Sequence, residues 1–174
     1  MNRTLSWCLL VLWSGWLFAL QGLFATHHGL AAWTPDLGIS LLLALDPRLE
    51  RSDALLAVGL VSGARIAFTA DPALAILVGY AALVVAVRWL RRGVEIDRPL
   101  PRFLVAALFG ALLTAYWAVA RGVALAAEGF TVAQATWNPA RVGRAALATG
   151  LCALLLGPFL VRLPGMSPLR RRTR

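Results

Sequence analysis

The chain contains no lysine, only two cysteines, two methionines and two histidines, and only 14% of its residues are charged. Each scarcity removes a class of protein. A soluble domain carries about a quarter charged residues, so this chain is expected not to build a water-exposed fold. Cys8 and Cys152 sit far apart inside apolar runs, which favours packing over a disulfide or a metal pair. His27 and His28 are adjacent, would diverge by about 100° on a helix, and have no obvious further ligands. Gly59-Leu60-Val61-Ser62-Gly63 is not the Gly-x-Ser-x-Gly elbow of a hydrolase. No paired carboxylates at helical spacing lie within the apolar runs, and no phosphate-cradling loop exists. The expectation is a protein without catalytic, cofactor-binding or metal-binding residues, and no enzyme.

What the chain does have is apolar length. Of its 174 residues 60% are hydrophobic, the mean hydropathy is +0.74, and a net charge of +9 comes from 17 arginines against 8 acids. Six apolar runs emerge: Leu5 to Phe24, Pro35 to Leu45, Ala54 to Ala70, Pro72 to Leu90, Phe103 to Ala127 and Ala145 to Val161. A helix needs about 20 residues to cross a hydrocarbon layer of ~30 Å, so all but the short second run approach that length. The third and fourth, joined at Asp71-Pro72 and closed by Arg88, Arg91 and Arg92, form a membrane hairpin. The first run is long for a signal peptide and lacks a clean cleavage site, so it is expected to be retained.

Arginine placement sets the direction, because short arginine-rich loops stay cytoplasmic. With six crossings the inside holds Arg3, Arg48, Arg51, the five arginines from Arg88 to Arg102 and the five from Arg162 to Arg174. Arg141 and Arg144 lie outside, Arg121 is near that boundary, and Arg65 falls within a span. The expected architecture is thus an all-α integral membrane protein, one domain over residues 1–174, a six-helix transmembrane bundle with both termini cytoplasmic. A five-crossing rival makes the second run re-entrant and puts the N-terminus outside. The basic loop and tail would meet anionic lipids, and the tail is too short for a nucleic-acid module. Pro99 and Pro101 should keep that loop from being helical throughout.

Several residues invite contacts. Pro35 and Asp36 suit the start of the second helix, the acid lying beside the positive end of the dipole. Small residues recur every fourth position at Gly59, Gly63 and Ala67 and again at Ala106, Gly110, Thr114, Ala118 and Gly122, stripes that let helix backbones approach closely in lipid. Internal packing is the simpler use of both stripes, and a partner's transmembrane helix the functional one. Arg65, near the middle of a span, needs an acid or carbonyl. Asp36 is its expected partner, because Asp71 is too near on the same helix to reach back easily, and neutralising Arg65 or Asp36 should harm the protein more than neutralising Arg48. Tyr116, Trp117 and Trp137 fit an interfacial aromatic belt.

Pro35-Asp36-Leu37 opening the second helix, Gly59 and Gly63 on a third helix that ends at Pro72 before Gly79-Tyr80, and the cluster Arg88, Arg91 and Arg92 together resemble MreD, the rod shape-determining membrane protein family. The resemblance covers roughly Trp33 to Trp117. One position departs: MreD-like proteins often carry an acid on the third helix shortly before that proline, where this chain has Arg65, Ile66 and Ala67. The resemblance implies a non-catalytic scaffold of the bacterial inner membrane, a hetero-oligomer that binds the membrane anchor of MreC and associates with RodA and a class B penicillin-binding protein. It also implies a fold similar to the substrate-binding subunits of energy-coupling-factor vitamin transporters. Transport is therefore the alternative function, and its outer polar residues would include His27, Gln134, Thr136 and Asn138.

Overall fold

The computed structural model describes residues 3–27, 30–128, 138–160 and 162–164. All regular structure among them is helical: α1 (Arg3–Thr26), α2 (Leu37–Leu45), α3 (Arg51–Ile66), α4 (Ala73–Leu90), α5 (Pro99–Ala127) and α6 (Pro139–Leu160), with single 3-10 turns at Ala31–Trp33 and Asp46–Arg48. Four helices, α1, α4, α5 and α6, are long and apolar enough to cross a membrane. Their outward faces carry Leu12, Trp16, Leu74, Val85, Trp89, Val119 and Phe159, all exposed, as lipid-facing surfaces require.

Local chemistry explains where the helices begin. The basic loop is non-helical over residues 91–98, as expected, and Pro99 and Pro101 then lie inside the first turn of α5, because a missing N–H costs nothing where no intrahelical acceptor exists. That corrects the expected start at Phe103. α6 starts at Pro139, six residues before the expected Ala145, since Asn138 Oδ1 accepts from Ala140 N at 3.0 Å and Arg141 N at 3.3 Å and so caps its first turn. In the other direction α3 stops at Ile66 instead of Ala70. The residue before a proline disfavours helical backbone, and Asp71-Pro72 turns the chain into α4.

Successive helices alternate in direction. Arg3, opening α1, pairs with Asp53, opening α3, at 2.5 Å. Asp46, just past α2, holds Arg88 near the end of α4 at 2.6 Å. Arg102, opening α5, lies across Gly157 near the end of α6, 2.7 Å from where a Cβ would stand. The starts of α1, α3 and α5 therefore share one end with the finishes of α2, α4 and α6. The direction of the chain thus reverses from each helix to the next, and α1 and α3 start at the same end.

The second run is unlike the others. α2 has nine residues, all buried, and at about 1.5 Å per residue it covers roughly half of a ~30 Å layer. An apolar stretch of that kind cannot cross alone, yet its backbone is safe inside protein because it is wrapped on every side. The remaining helices form its wall.

The two small-residue stripes part company. On α5, Gly110 is buried, and a Cβ there would stand 3.0 Å from Thr149 Cβ and 3.3 Å from Ala146 Cα, so α5 and α6 pack through it. Thr114 is half-buried along the same helix. On α3 the stripe faces out: Gly59, Gly63 and Ala67 are exposed, and a Cβ at Gly59 or Gly63 would meet nothing within 4 Å. The expectation of internal packing fails for α3, because its inner face is built from Ala54, Ala57, Val58, Val61, Ser62 and Arg65.

Candidate functional site

The polar chemistry gathers at the two ends of α2. Asp36 is its N-cap, its Oδ1 accepting from Ile39 N at 3.0 Å, so the carboxylate satisfies a backbone donor and faces the positive end of the helix dipole. The same oxygen accepts from the Tyr80 hydroxyl at 2.8 Å, while Oδ2 receives Arg65 Nη1. Arg65 Nη1 also donates to the Tyr80 oxygen at 2.7 Å. Arg65 spreads its guanidinium over the Trp117 ring with Cζ 3.5 Å from the centroid, and Tyr80 meets that ring edge-on at 5.6 Å.

Asp71 joins this cluster, which corrects the expectation that it lies too near Arg65 to reach. Because α3 ends at Ile66, the turn folds back, and Asp71 Oδ2 sits 3.6 Å from Arg65 Nη2. Asp71 Oδ1 in turn takes Arg121 Nε at 3.0 Å and Nη2 of the same guanidinium. Two carboxylates and two guanidinia thus alternate, Asp36, Arg65, Asp71, Arg121, from the buried core to the half-exposed edge. The charges sum to zero, which is how a buried ion set is tolerated.

Backbone groups complete the junction. Asp36 N donates to Thr149 Oγ1 at 2.9 Å, and Leu37 N donates to Gln21 Oε1 at 3.1 Å. Gln21 belongs to α1, Arg65 to α3, Tyr80 to α4, Trp117 to α5 and Thr149 to α6. Four helices, α1, α3, α4 and α6, therefore bond to the start of α2, and α5 backs them through Trp117. Gly38 lets Tyr80 approach it, since a Cβ there would stand 2.7 Å from Tyr80 Cζ and 3.0 Å from Phe18 Cζ.

At the far end, Asp46 is buried beneath Arg88 and, at 3.8 Å, Arg91. Arg91 also reaches Leu43 O at 3.5 Å, beside the open carbonyls of the last turn of α2. Arg91 and Arg102 are further tied to Asp97, at 3.3 and 3.9 Å, and Arg98 pairs with Glu95. Most of the basic loop is thus committed to its own acids, with Arg92 left exposed and without an ion pair among the described residues. Asp46→Asn should lower stability by about 1.5–3 kcal/mol, the range for a hydrogen bond to a charged group. Chemical denaturation in mild detergent reads it, with Glu50→Gln, at an exposed position, as the neutral reference.

Of the residues singled out in the sequence, the structure brings together Asp36, Arg65 and Asp71, with Pro35 buried beside the first and Pro72 half-buried after the last. It leaves Gly59 and Gly63 apart on the outer face of α3, and Gly110 and Thr114 on α5. Trp117 is no belt residue: it is buried under Arg65, whereas neighbouring Tyr116 is exposed. His27 is exposed beyond the end of α1, and among the described residues no three His, Cys, Asp or Glu side chains gather to hold a metal. His28, Gln134, Thr136, Trp137 and the arginines 170, 171, 172 and 174 lie outside the described residues. Sequence reasoning gave no contact to Tyr80, which entered only as a marker of the resemblance, and missed Thr149, Gln21 and Gly38. Only Tyr80 carried a signal, as a hydroxyl inside an apolar run that must find a partner when buried.

The fold and site define an all-helical bundle with four helices fit to cross a membrane and a neutral ion network at its centre. Compared with protein families, with curated proteins and with solved structures, the chain finds no match.

Proposed function

We propose that this protein is a non-catalytic, MreD-like scaffold of the bacterial cell-elongation machinery, held in the cytoplasmic membrane by six runs with both termini inside. In this reading it binds the membrane anchor of MreC and associates with RodA and a class B penicillin-binding protein, in a complex that builds peptidoglycan. The observation that carries the reading is the outward stripe of α3. Gly59, Gly63 and Ala67 present bare backbone to the surroundings while the ion network holds the interior together. In lipid such a face gains dispersion contacts only when another helix lies on it.

A paired substitution tests that face. Gly59→Leu with Gly63→Leu should leave the protein at least as stable as the parent, with a gain of about 1 kcal/mol, because open space receives both side chains and leucine is the better helix former. Gly110→Leu should cost about 3 kcal/mol by overpacking against Thr149 and Ala146. Mild-detergent purification of the tagged protein from its host, followed by mass spectrometry, then reads the partners. Recovery of a single-span coiled-coil periplasmic protein with wall-synthesis enzymes, lost in the double variant alone, supports the scaffold. Recovery of ATPase subunits in their place makes the chain a transporter component and overturns it.

A further inference from the structure

We propose that the start of α2 is a carboxylate-binding site, and that the chain fills it with its own Asp36 side chain as a built-in ligand. Three donors on three elements converge on two oxygens: Ile39 N from α2 at 3.0 Å and the Tyr80 hydroxyl from α4 at 2.8 Å on Oδ1, and Arg65 Nη1 from α3 on Oδ2. Both side-chain donors are deeply buried, Tyr80 at 0% and Arg65 at 5% exposure. Arg65 Nε is buried with no hydrogen-bond partner among the described residues. A half-helix whose N-terminus ends inside a bundle, facing a cation, is an arrangement that membrane transporters use to receive an anionic solute. Here the solute's place is taken by the residue that caps the helix.

The donor set selects shape as well as charge. Two donors share one oxygen and the guanidinium takes the other, so the site fits a planar group with two acceptor oxygens and not a single spherical ion. Phe18, Tyr80 and the bare Gly38 leave little room around it, which limits the ligand to a very small monocarboxylate, formate or acetate. While Asp36 is present the site is closed to any such solute. This inference stands on the geometry alone and does not rest on the elongation reading.

Removing the tether tests it. Asp36→Gly keeps a residue acceptable at an N-cap but empties the carboxylate position. Sodium formate at about 100 mM is expected to raise its thermal midpoint by roughly 4 °C over sodium chloride of equal ionic strength, as for a ligand with a dissociation constant of about 10 mM. The parent should show no difference between the two salts. Neither should Asp36→Asn, whose amide occupies the same space. Equal response to formate and chloride in Asp36→Gly, or an equal formate response in the parent, overturns the proposal. If Asp36→Gly accumulates only when cells and buffers contain formate, the proposal stands; if it fails to accumulate with or without formate while Asp36→Asn does accumulate, the proposal falls.

Discussion

Replacing Arg65 by methionine is expected to remove about 3–5 kcal/mol of stability, the usual cost of deleting one member of a buried ion set. The cause is what remains behind. Asp36 and Asp71 would stay buried, with Asp36 keeping only neutral donors and Asp71 left to Arg121 at the edge. Trp117 would also lose the guanidinium that covers its ring. Arg65→Lys keeps the charge, but one ammonium cannot span Asp36, Tyr80 and Asp71 as the planar fork does, so a smaller loss of about 2 kcal/mol is expected. Arg92→Met, at an exposed arginine, should stay within about 0.5 kcal/mol. Denaturant midpoints in one detergent decide the order. Equal tolerance of Arg65→Met and Arg92→Met would mean that the network does not hold the bundle. A double-mutant cycle between Arg65→Gln and Asp36→Asn should show a loss smaller than the sum of the single losses, by at least about 1 kcal/mol.

Gly38→Ala is the second large effect, at about 3 kcal/mol from a single methyl. The added carbon would stand 2.7 Å from Tyr80 Cζ and 3.0 Å from Phe18 Cζ, two side chains that are themselves buried. Tyr80 cannot step aside without giving up both its bond to Asp36 and its bond from Arg65. The same exchange at Gly59 should stabilise the protein by about 0.5–1 kcal/mol, since alanine is the better helix former and nothing lies within 4 Å. One substitution with opposite signs at two glycines separates a close approach from an open face. A Gly38→Ala protein as stable as the parent would show that Tyr80 is free to move.

Much of the fold can be read from one dimension, because apolar run length and proline placement are local quantities. Ala73–Leu90 was expected to within a residue, since Asp71-Pro72 and Arg91-Arg92 mark both ends in the chain itself. The starts of α5 and α6 were misplaced for an equally local reason: prolines that break a helix in its interior are welcome in its first turn, and the sequence does not say which case applies. The need of Arg65 for an acid was also legible, as a charge inside an apolar run.

By itself, then, the sequence determined that the chain is helical and apolar outward, that its basic residues collect at the ends of runs, and that Arg65 must be neutralised inside. Only the tertiary structure decided which acids do so. Asp71 reaches Arg65 because α3 stops early, and Tyr80, Thr149 and Gln21 reach the start of α2 because three separate helices bring them there. It alone decided, too, that the stripe of α5 is spent on α6 while that of α3 faces out. Spacing along a helix says which residues share a face, but the direction of that face depends on every neighbouring helix at once.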